Sequence, residues 1–271
     1  MTKTVLVTGA SSGIGAAAVR RFADHGWNVI ATLRTPSGAL NAEHVWETRL
    51  DVQDRASIAR AIEGGIERFG AIDALVNNAG FGQFGVFEST PREKIAEQFD
   101  VNVFGVMDTI RAILPHFRSR RSGSIVNVSS GAGMFTLPMI SLYCASKFAL
   151  EGFSESLSYE LASQGIAVKL VIPHGGVSST RFGERSGQEF SQNEKIGDYD
   201  AFVEHANEAF GTMRAAQMMS SDDVADVIYD AVTDGTDRLR YLVGDDARGF
   251  VKARREMSEE GYIAFMRGQF A

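Results

Sequence analysis

Short runs of apolar, β-branched residues alternate with longer stretches whose apolar positions recur at helical spacing. Near-continuous apolar runs predict strands over Lys3 to Thr8, Asn28 to Leu33, Val45 to Leu50, Ile72 to Asn77, Ser124 to Ser129, Ala167 to Ile172 and Leu239 to Val243. Between them, Ile14 to His25 reads as an Ala-rich helix ending at Gly26. Asp54 to Phe69 reads as a helix with Ile58, Ala61, Ile62 and Ile66 on one side. Arg92 to Arg118 is expected to be a long helical region, bent or ended near Pro115. Leu142 to Ser163 and Asp222 to Thr233 complete the helical set. Buried strands separated by helices predict an α/β fold: a doubly wound, Rossmann-type parallel sheet with helices on both faces. No linker or internal repeat interrupts this, so residues 1–271 are expected to form a single domain. The stretch 178–221 breaks the rhythm and is expected to form a substrate lid, with 246–271 as a C-terminal extension.

Composition narrows the function classes. A hydrophobic content of 44% is that of a globular chain, and a net charge of −7 gives no footprint for nucleic acid. The one cysteine, Cys144, allows no intrachain disulfide framework and no cysteine-rich zinc site, and no metal is expected. No apolar run approaches the roughly 18 to 20 residues of a membrane span. The N-terminus enters a strand at once with no signal-peptide pattern, so a cytoplasmic location is the expectation.

The first strand–helix junction reads Thr8-Gly9-Ala10-Ser11-Ser12-Gly13-Ile14-Gly15. Its glycines suit a tight turn, close approach to a pyrophosphate and close helix packing, and the helix N-terminus offers unpaired N–H groups to phosphates. Gly9, Ser11, Ser12, Gly13, Ile14 and Gly15 are therefore candidate dinucleotide contacts. At the end of the second strand, Ala31-Thr32-Leu33-Arg34-Thr35 holds no carboxylate for a ribose 2′-hydroxyl, and Arg34 is placed to meet a 2′-phosphate. NADP(H) is the preferred cofactor on this reading, with NAD(H) possible. Asp51 is a candidate for the adenine amino group, and the Val52 N–H for an adenine ring nitrogen.

Tyr143 and Lys147 stand four apart in a predicted helix and so share a face. An ammonium beside a phenol favours the phenolate, which makes Tyr143 a candidate acid/base near neutral pH. Such a pair alone is weak, but it occurs here together with the nucleotide-binding opening.

Five motifs in order carry a family resemblance. Thr8 to Gly15 matches TGxxxGIG, Asn77-Asn78-Ala79-Gly80 matches NNAG, and Asn102 stands where the family has a helix asparagine. Ser130 precedes Tyr143 by the family's serine–tyrosine spacing, and Tyr143 to Lys147 matches YxxxK. The chain resembles the short-chain dehydrogenase/reductases, and Phe81 to Gly85 with Arg34 resembles their 17β-hydroxysteroid-dehydrogenase-like branch. The resemblance implies a hydride exchanged between nicotinamide and a carbonyl or secondary alcohol, with Asn102, Ser130, Tyr143 and Lys147 as the catalytic set. Tyr143 would donate the proton, Ser130 would hold the substrate oxygen, Lys147 would lower the Tyr143 pKa and bond the ribose, and Asn102 would fix a water beside Lys147. Asn78, Ala79 and Gly80 would touch the cofactor, as would Pro173, Gly175, Val177 and Thr180 in the loop after the sixth strand. That loop departs from the family's pattern, because His174 replaces an expected glycine. Family members are usually homodimers or homotetramers, built on the Asp100-region and Tyr143-region helices.

Met134, Phe135, Leu137 and Met139 make the segment after Gly131 apolar, which suggests a hydrophobic or amphipathic substrate. The tail, with Tyr262, Phe265, Met266 and Phe270, is expected to cover either this pocket or a neighbouring subunit. The alternative readings are a non-catalytic NADP-binding regulator or scaffold on the same fold, or a member with epimerising or dehydrating chemistry. The presence of all four catalytic-type residues argues against the first.

Overall fold

A computed structural model of the chain describes residues 2–174, 176–178, 195–215, 219–245 and 249–270. The strands are β1 (Thr4–Thr8), β2 (Asn28–Leu33), β3 (Val45–Arg49), β4 (Ala74–Asn77), β5 (Gly123–Val128), β6 (Ile166–Pro173) and β7 (Arg240–Val243). All pair in parallel, in the order β3-β2-β1-β4-β5-β6-β7. The order reverses between β1 and β4, which opens a crevice at their carboxyl ends, where α/β sheets bind ligands.

Alternate strand residues face two cores, so the strands read as continuous apolar runs. On one face Val5, Val7, Val29, Ala31 and Val76 pack against α1 (Gly13–Asp24) and α7 (Ser221–Thr233), through Ala18, Phe22, Val224 and Ile228. On the other, Leu6, Ile30, Leu75 and Ile125 pack against α2 (Arg55–Phe69), α4 (Gly105–Arg120) and α5 (Ser141–Ala162), through Ile58, Ile110, Phe117 and Leu150. Local signals set the helix starts. Asp54 caps α2 by accepting the Ser57 N–H, and Ser220 with Asp223 forms a capping box on α7.

Three boundaries depart from the sequence reading for visible reasons. The fourth strand begins at Ala74 rather than Ile72, because the Ile72 backbone is taken by the side chains of His116 and Arg120. The expected long helix does not end at Pro115, which lies inside α4. Its break comes earlier, at Asp100–Phe104, a wide turn in which the Gly105 N–H reaches back to the Asp100 carbonyl. This turn joins α3 (Arg92–Phe99) to α4 and carries Asn102.

The expected lid lies partly outside the described residues. Its described part contains α6 (Asp200–Ala215). Its two ends are tied together: Val177 bridges Met219, and Ser178 N donates to Met219 O at 2.8 Å. The C-terminal extension forms α8 (Phe250–Glu256) and α9 (Glu259–Phe270). These fold onto Phe135, with Phe250 edge-on to it at 5.2 Å. The tail thus covers the segment after Gly131 of its own chain. No described helix is long and apolar enough to cross a membrane.

Candidate active site

The glycine turn after β1 is built for close approach. Gly9 and Gly13 have φ of 69° and 55°, in the left-handed region that glycine enters freely. A Cβ at Gly15 would lie 2.2 Å from the Gly9 carbonyl oxygen, so this position admits no side chain. Ser12 is the N-cap of α1 yet makes no capping side-chain bond, and no acidic residue stands in the first turn. The first-turn N–H groups and the positive end of the helix therefore face the crevice with no internal anion. Ser11 is exposed, Ser12 is half-buried, and Ile14 packs onto the core behind the turn.

The loop after β4 is fastened to this turn. Asn78 Nδ2 donates to Thr8 O at 3.0 Å and Gly9 O at 3.2 Å, and the Asn78 and Ala79 N–H groups both donate to Thr8 Oγ1 at 3.0 Å. Asn78 and Ala79 thus hold the two loops together, while Gly80 is exposed at the crevice. Thr8 is the fastener that sequence reasoning passed over; its place in the motif was the available signal.

At the other end of the crevice edge, Arg34 is exposed at the tip of β2. The loop behind it is clamped by a buried carboxylate that the sequence reading missed. Glu47 accepts the N–H groups of Ser37, Gly38 and Leu40, the last two at 2.7 and 2.8 Å. Burial alone would lift this carboxyl, but the three N–H groups outweigh it and hold it below its ordinary value. The signal was an acid at an inward position of β3. Asp51 turns the chain after β3, with Oδ1 accepting Gln53 N at 3.1 Å. The neighbouring Val52 is buried against Gly105, where a Cβ would lie 2.7 Å from Val52 Cβ.

The four candidate catalytic residues converge. Tyr143 and Lys147 are both buried on the face of α5 that meets the end of β5, and the Ser130 side chain acts on the Tyr143 phenol from the loop after β5. Lys147 Nζ donates to Val128 O at 2.9 Å and lies 5.7 Å from the Tyr143 ring centroid. Burial dominates the protonation of both groups. It pushes the Tyr143 phenol up to about 12, against a smaller lowering by Ser130. It pulls the Lys147 ammonium down to about 8, against the opposing charge of Glu151. The acidifying effect of Lys147 on Tyr143 expected from the sequence is therefore outweighed here. The ammonium is directed at the Val128 carbonyl, and desolvation of the phenolate wins.

Asn102 is brought to the site by the wide turn, but its side chain is committed to protein. Its Oδ1 accepts Phe81 N at 3.1 Å, and its Nδ2 donates to Phe81 O at 2.9 Å and Ser146 Oγ at 3.1 Å. Ser146 in turn donates to Tyr143 O at 2.8 Å. Asn102 therefore joins the loop after Gly80 to the Tyr143 helix. Gln98 adds to the same joint by accepting Gln83 N and donating to Phe81 O.

In the loop after β6, Pro173 ends the strand and Val177 is half-buried beside Met219; Gly175 and Thr180 lie outside the described residues. His174 is buried, with its Cβ 2.9 Å from where a Cβ of Gly131 would stand. It packs against the loop that follows Ser130. Of the apolar segment, Met134, Phe135 and Leu137 pack under the tail. Met139, at φ 63°, lines a cavity of about 450 Å³ with Gly85, Val86, Phe87, Tyr199 and Phe202.

A seven-stranded parallel sheet with a glycine turn at its crossover, and a Ser–Tyr–Lys cluster at the same edge, defines a dinucleotide-binding α/β protein. A family model described as short chain dehydrogenase matches residues 3–189, and the chain belongs to the short-chain dehydrogenase family. It is 35% identical over 229 residues to an uncharacterised oxidoreductase of Schizosaccharomyces pombe, covering 84% of this chain and 93% of that one. It is 34% identical to 17-beta-hydroxysteroid dehydrogenase type 1 of Homo sapiens, covering 98% of this chain and 85% of the human protein. The crystal structure of a short-chain dehydrogenase from Streptomyces avermitilis superposes with a TM-score of 0.82 at 31% identity, covering 99% of this chain and 98% of that one.

Proposed function

We propose that the protein is an NADP(H)-dependent oxidoreductase that interconverts a carbonyl compound and its secondary alcohol, with Tyr143 as the acid/base. The observation that carries this is the convergence of Ser130, Tyr143 and Lys147 at the carboxyl edge of the sheet, on the crevice that the glycine turn opens. That turn fits a dinucleotide, because the Gly9–Gly15 contact leaves no room for side chains and the α1 N-terminus is uncapped by any side chain. Gly9, Gly13 and Gly15 would hold the pyrophosphate, Asp51 and Val52 the adenine, and Arg34 the 2′-phosphate. When bound, the dinucleotide supplies a transferable hydride at its nicotinamide C4.

The protein's own groups then position and protonate the substrate oxygen. The Ser130 side chain already acts on the Tyr143 phenol, so a substrate oxygen placed between the two hydroxyls would meet both. Held up to about 12, the phenol keeps its proton at neutral pH and is ready to donate it, which suits carbonyl reduction. Lys147 keeps positive charge beside the phenol as that proton leaves. Asn102 fixes the loop after Gly80 against the Tyr143 helix, which holds the two walls of the site in register. The apolar wall of Val86, Met139 and Phe202 supports a hydrophobic or amphipathic substrate. Exposed Phe104, Phe148 and Tyr159, in the Asp100-region turn and on α5, support assembly into a homodimer or homotetramer through these elements.

Two variants test the reading. Tyr143→Phe should lower NADPH-dependent carbonyl reduction by about 10²- to 10⁴-fold while NADPH affinity stays within about threefold. A wild-type rate in that variant would remove Tyr143 from the mechanism. Arg34→Asp should move the ratio of kcat/KM for NADPH over NADH towards NADH by about tenfold or more. An unmoved ratio would show that Arg34 does not read the phosphate.

A further inference from the structure

Glu151 lies one helical turn after Lys147 on the same face of α5, and is only 6% exposed. Its Oε2 accepts Arg240 Nε of β7 at 2.9 Å. Its Oε1 is buried and has no hydrogen-bond partner among the described residues. Arg240 also donates through Nη2 to Glu155 at 2.6 Å, so the guanidinium is pinned between two carboxylates of α5. The approach of this acid to the catalytic helix depends on a glycine. A Cβ at Gly133 would lie 2.9 Å from Glu151 Cγ, 3.0 Å from the Lys147 carbonyl and 3.1 Å from Ser129 Oγ. Ser129 Oγ is likewise buried, with no partner among the described residues. Behind these groups a cleft of about 430 Å³, lined by Gly133, Glu151, Arg240 and Arg255 among others, leads to the surface.

A buried carboxylate with one unsatisfied oxygen is costly unless something uses its charge. Arg240 neutralises only one oxygen, and it is shared with Glu155. Around this acid α5 brings Lys147 and Glu155, β7 brings Arg240, the end of β5 brings Ser129, and Arg255 of α8 lines the cleft. Of these, only Lys147 is a buried cation without a carboxylate hydrogen-bonded to it, since its Nζ donates to the Val128 carbonyl.

We propose that Glu151 is a positioning residue for the Tyr143–Lys147 pair: fixed by Arg240, it supplies the counter-charge that keeps the Lys147 ammonium charged and held on the Val128 carbonyl beside Tyr143. Its charge opposes the effect of burial on Lys147, in keeping with this role. The inference rests on the oxidoreductase reading, and its test separates the two.

The test compares wild type, Glu151→Gln and Arg240→Gln, each with folding checked by thermal melting. Both variants break the Glu151–Arg240 ion pair, but only the first removes the carboxylate charge. The Lys147 ammonium is titrated directly by NMR of labelled lysine, with and without saturating NADP⁺, which needs no turnover. Glu151→Gln should lower the Lys147 pKa by about one unit or more, and Arg240→Gln should leave it unchanged or raise it. In NADPH-dependent reduction, the alkaline limb of kcat/KM should move the same way. Glu151→Gln should then lose about tenfold at pH 9 and less than about threefold at pH 7. An unmoved Lys147 pKa in Glu151→Gln, or the same fall in both variants, would overturn the inference. Absence of turnover in wild type, with the pKa shift present, would instead count against the oxidoreductase reading alone.

Discussion

At the scale of single residues, Tyr143 and Lys147 are opposed by the same force, burial, and the consequences for stability can be signed. The folded pKa of Lys147 is about 8, against 10.5 for an ordinary lysine. Between those values the unfolded chain binds more protons than the folded one, so stability rises with pH. Tyr143 acts in the next window: its folded phenol keeps its proton up to about 12, whereas an unfolded tyrosine loses it near 10.0. Stability falls with rising pH there. Lys147→Met removes the first contribution, so the variant should lack the wild-type gain in unfolding free energy between pH 8 and 9.5, on the order of 2 kcal/mol. Urea unfolding at the two pH values measures it, and parallel curves for both proteins would show that Lys147 is not desolvated. The two residues themselves were legible in the sequence, because helical spacing and an ordered motif set identify them. The protonation balance was not, because it depends on how completely α5 is buried and on where Nζ points.

At the scale of elements, strand and helix identity followed from apolar periodicity almost throughout, since each strand feeds two cores and each helix one. What the pattern missed were changes made by side chains reaching across elements. The wide turn at Asp100–Phe104, from which Asn102 bonds to Phe81 and Ser146, breaks a helical region that was expected to bend or end near Pro115. His116 and Arg120 take the backbone of Ile72, where the fourth strand was expected to begin. The buried acids Glu47 and Glu151 read as ordinary polar positions until their partners from Ser37 to Leu40 and from β7 are seen. The tail is a second case: its aromatic residues were visible, their target was not. Phe250 sits among Phe135, Phe265 and Phe270 at centroid distances of 5.2, 6.1 and 6.5 Å. Phe250→Ala should therefore cost about 3 to 5 kcal/mol of local packing, and release α8 and α9 from the segment after Gly131. Hydrogen exchange should then show faster amides in 250–270 with β1 and β4 unchanged. Unaltered protection in the tail would place its anchor elsewhere.

At the scale of the whole molecule, the topology explains why residues so distant in sequence form one site. The reversal between β1 and β4 brings the glycine turn and the loop after Gly80 together. The next strand outward, β5, carries Ser130 beyond its end and supports the buried face of α5. The glycine turn and the Ser130–Tyr143–Lys147 cluster thus share one crevice. The most direct test of this arrangement is transfer of label from NADPH carrying deuterium at both nicotinamide C4 positions to a panel of hydrophobic ketones and aldehydes, read by mass spectrometry of the alcohols. The account predicts alcohol one mass unit heavier with the wild-type protein, reduced by about 10²-fold or more in Tyr143→Phe. Alcohol formed without the label, or labelled equally by both proteins, would contradict it.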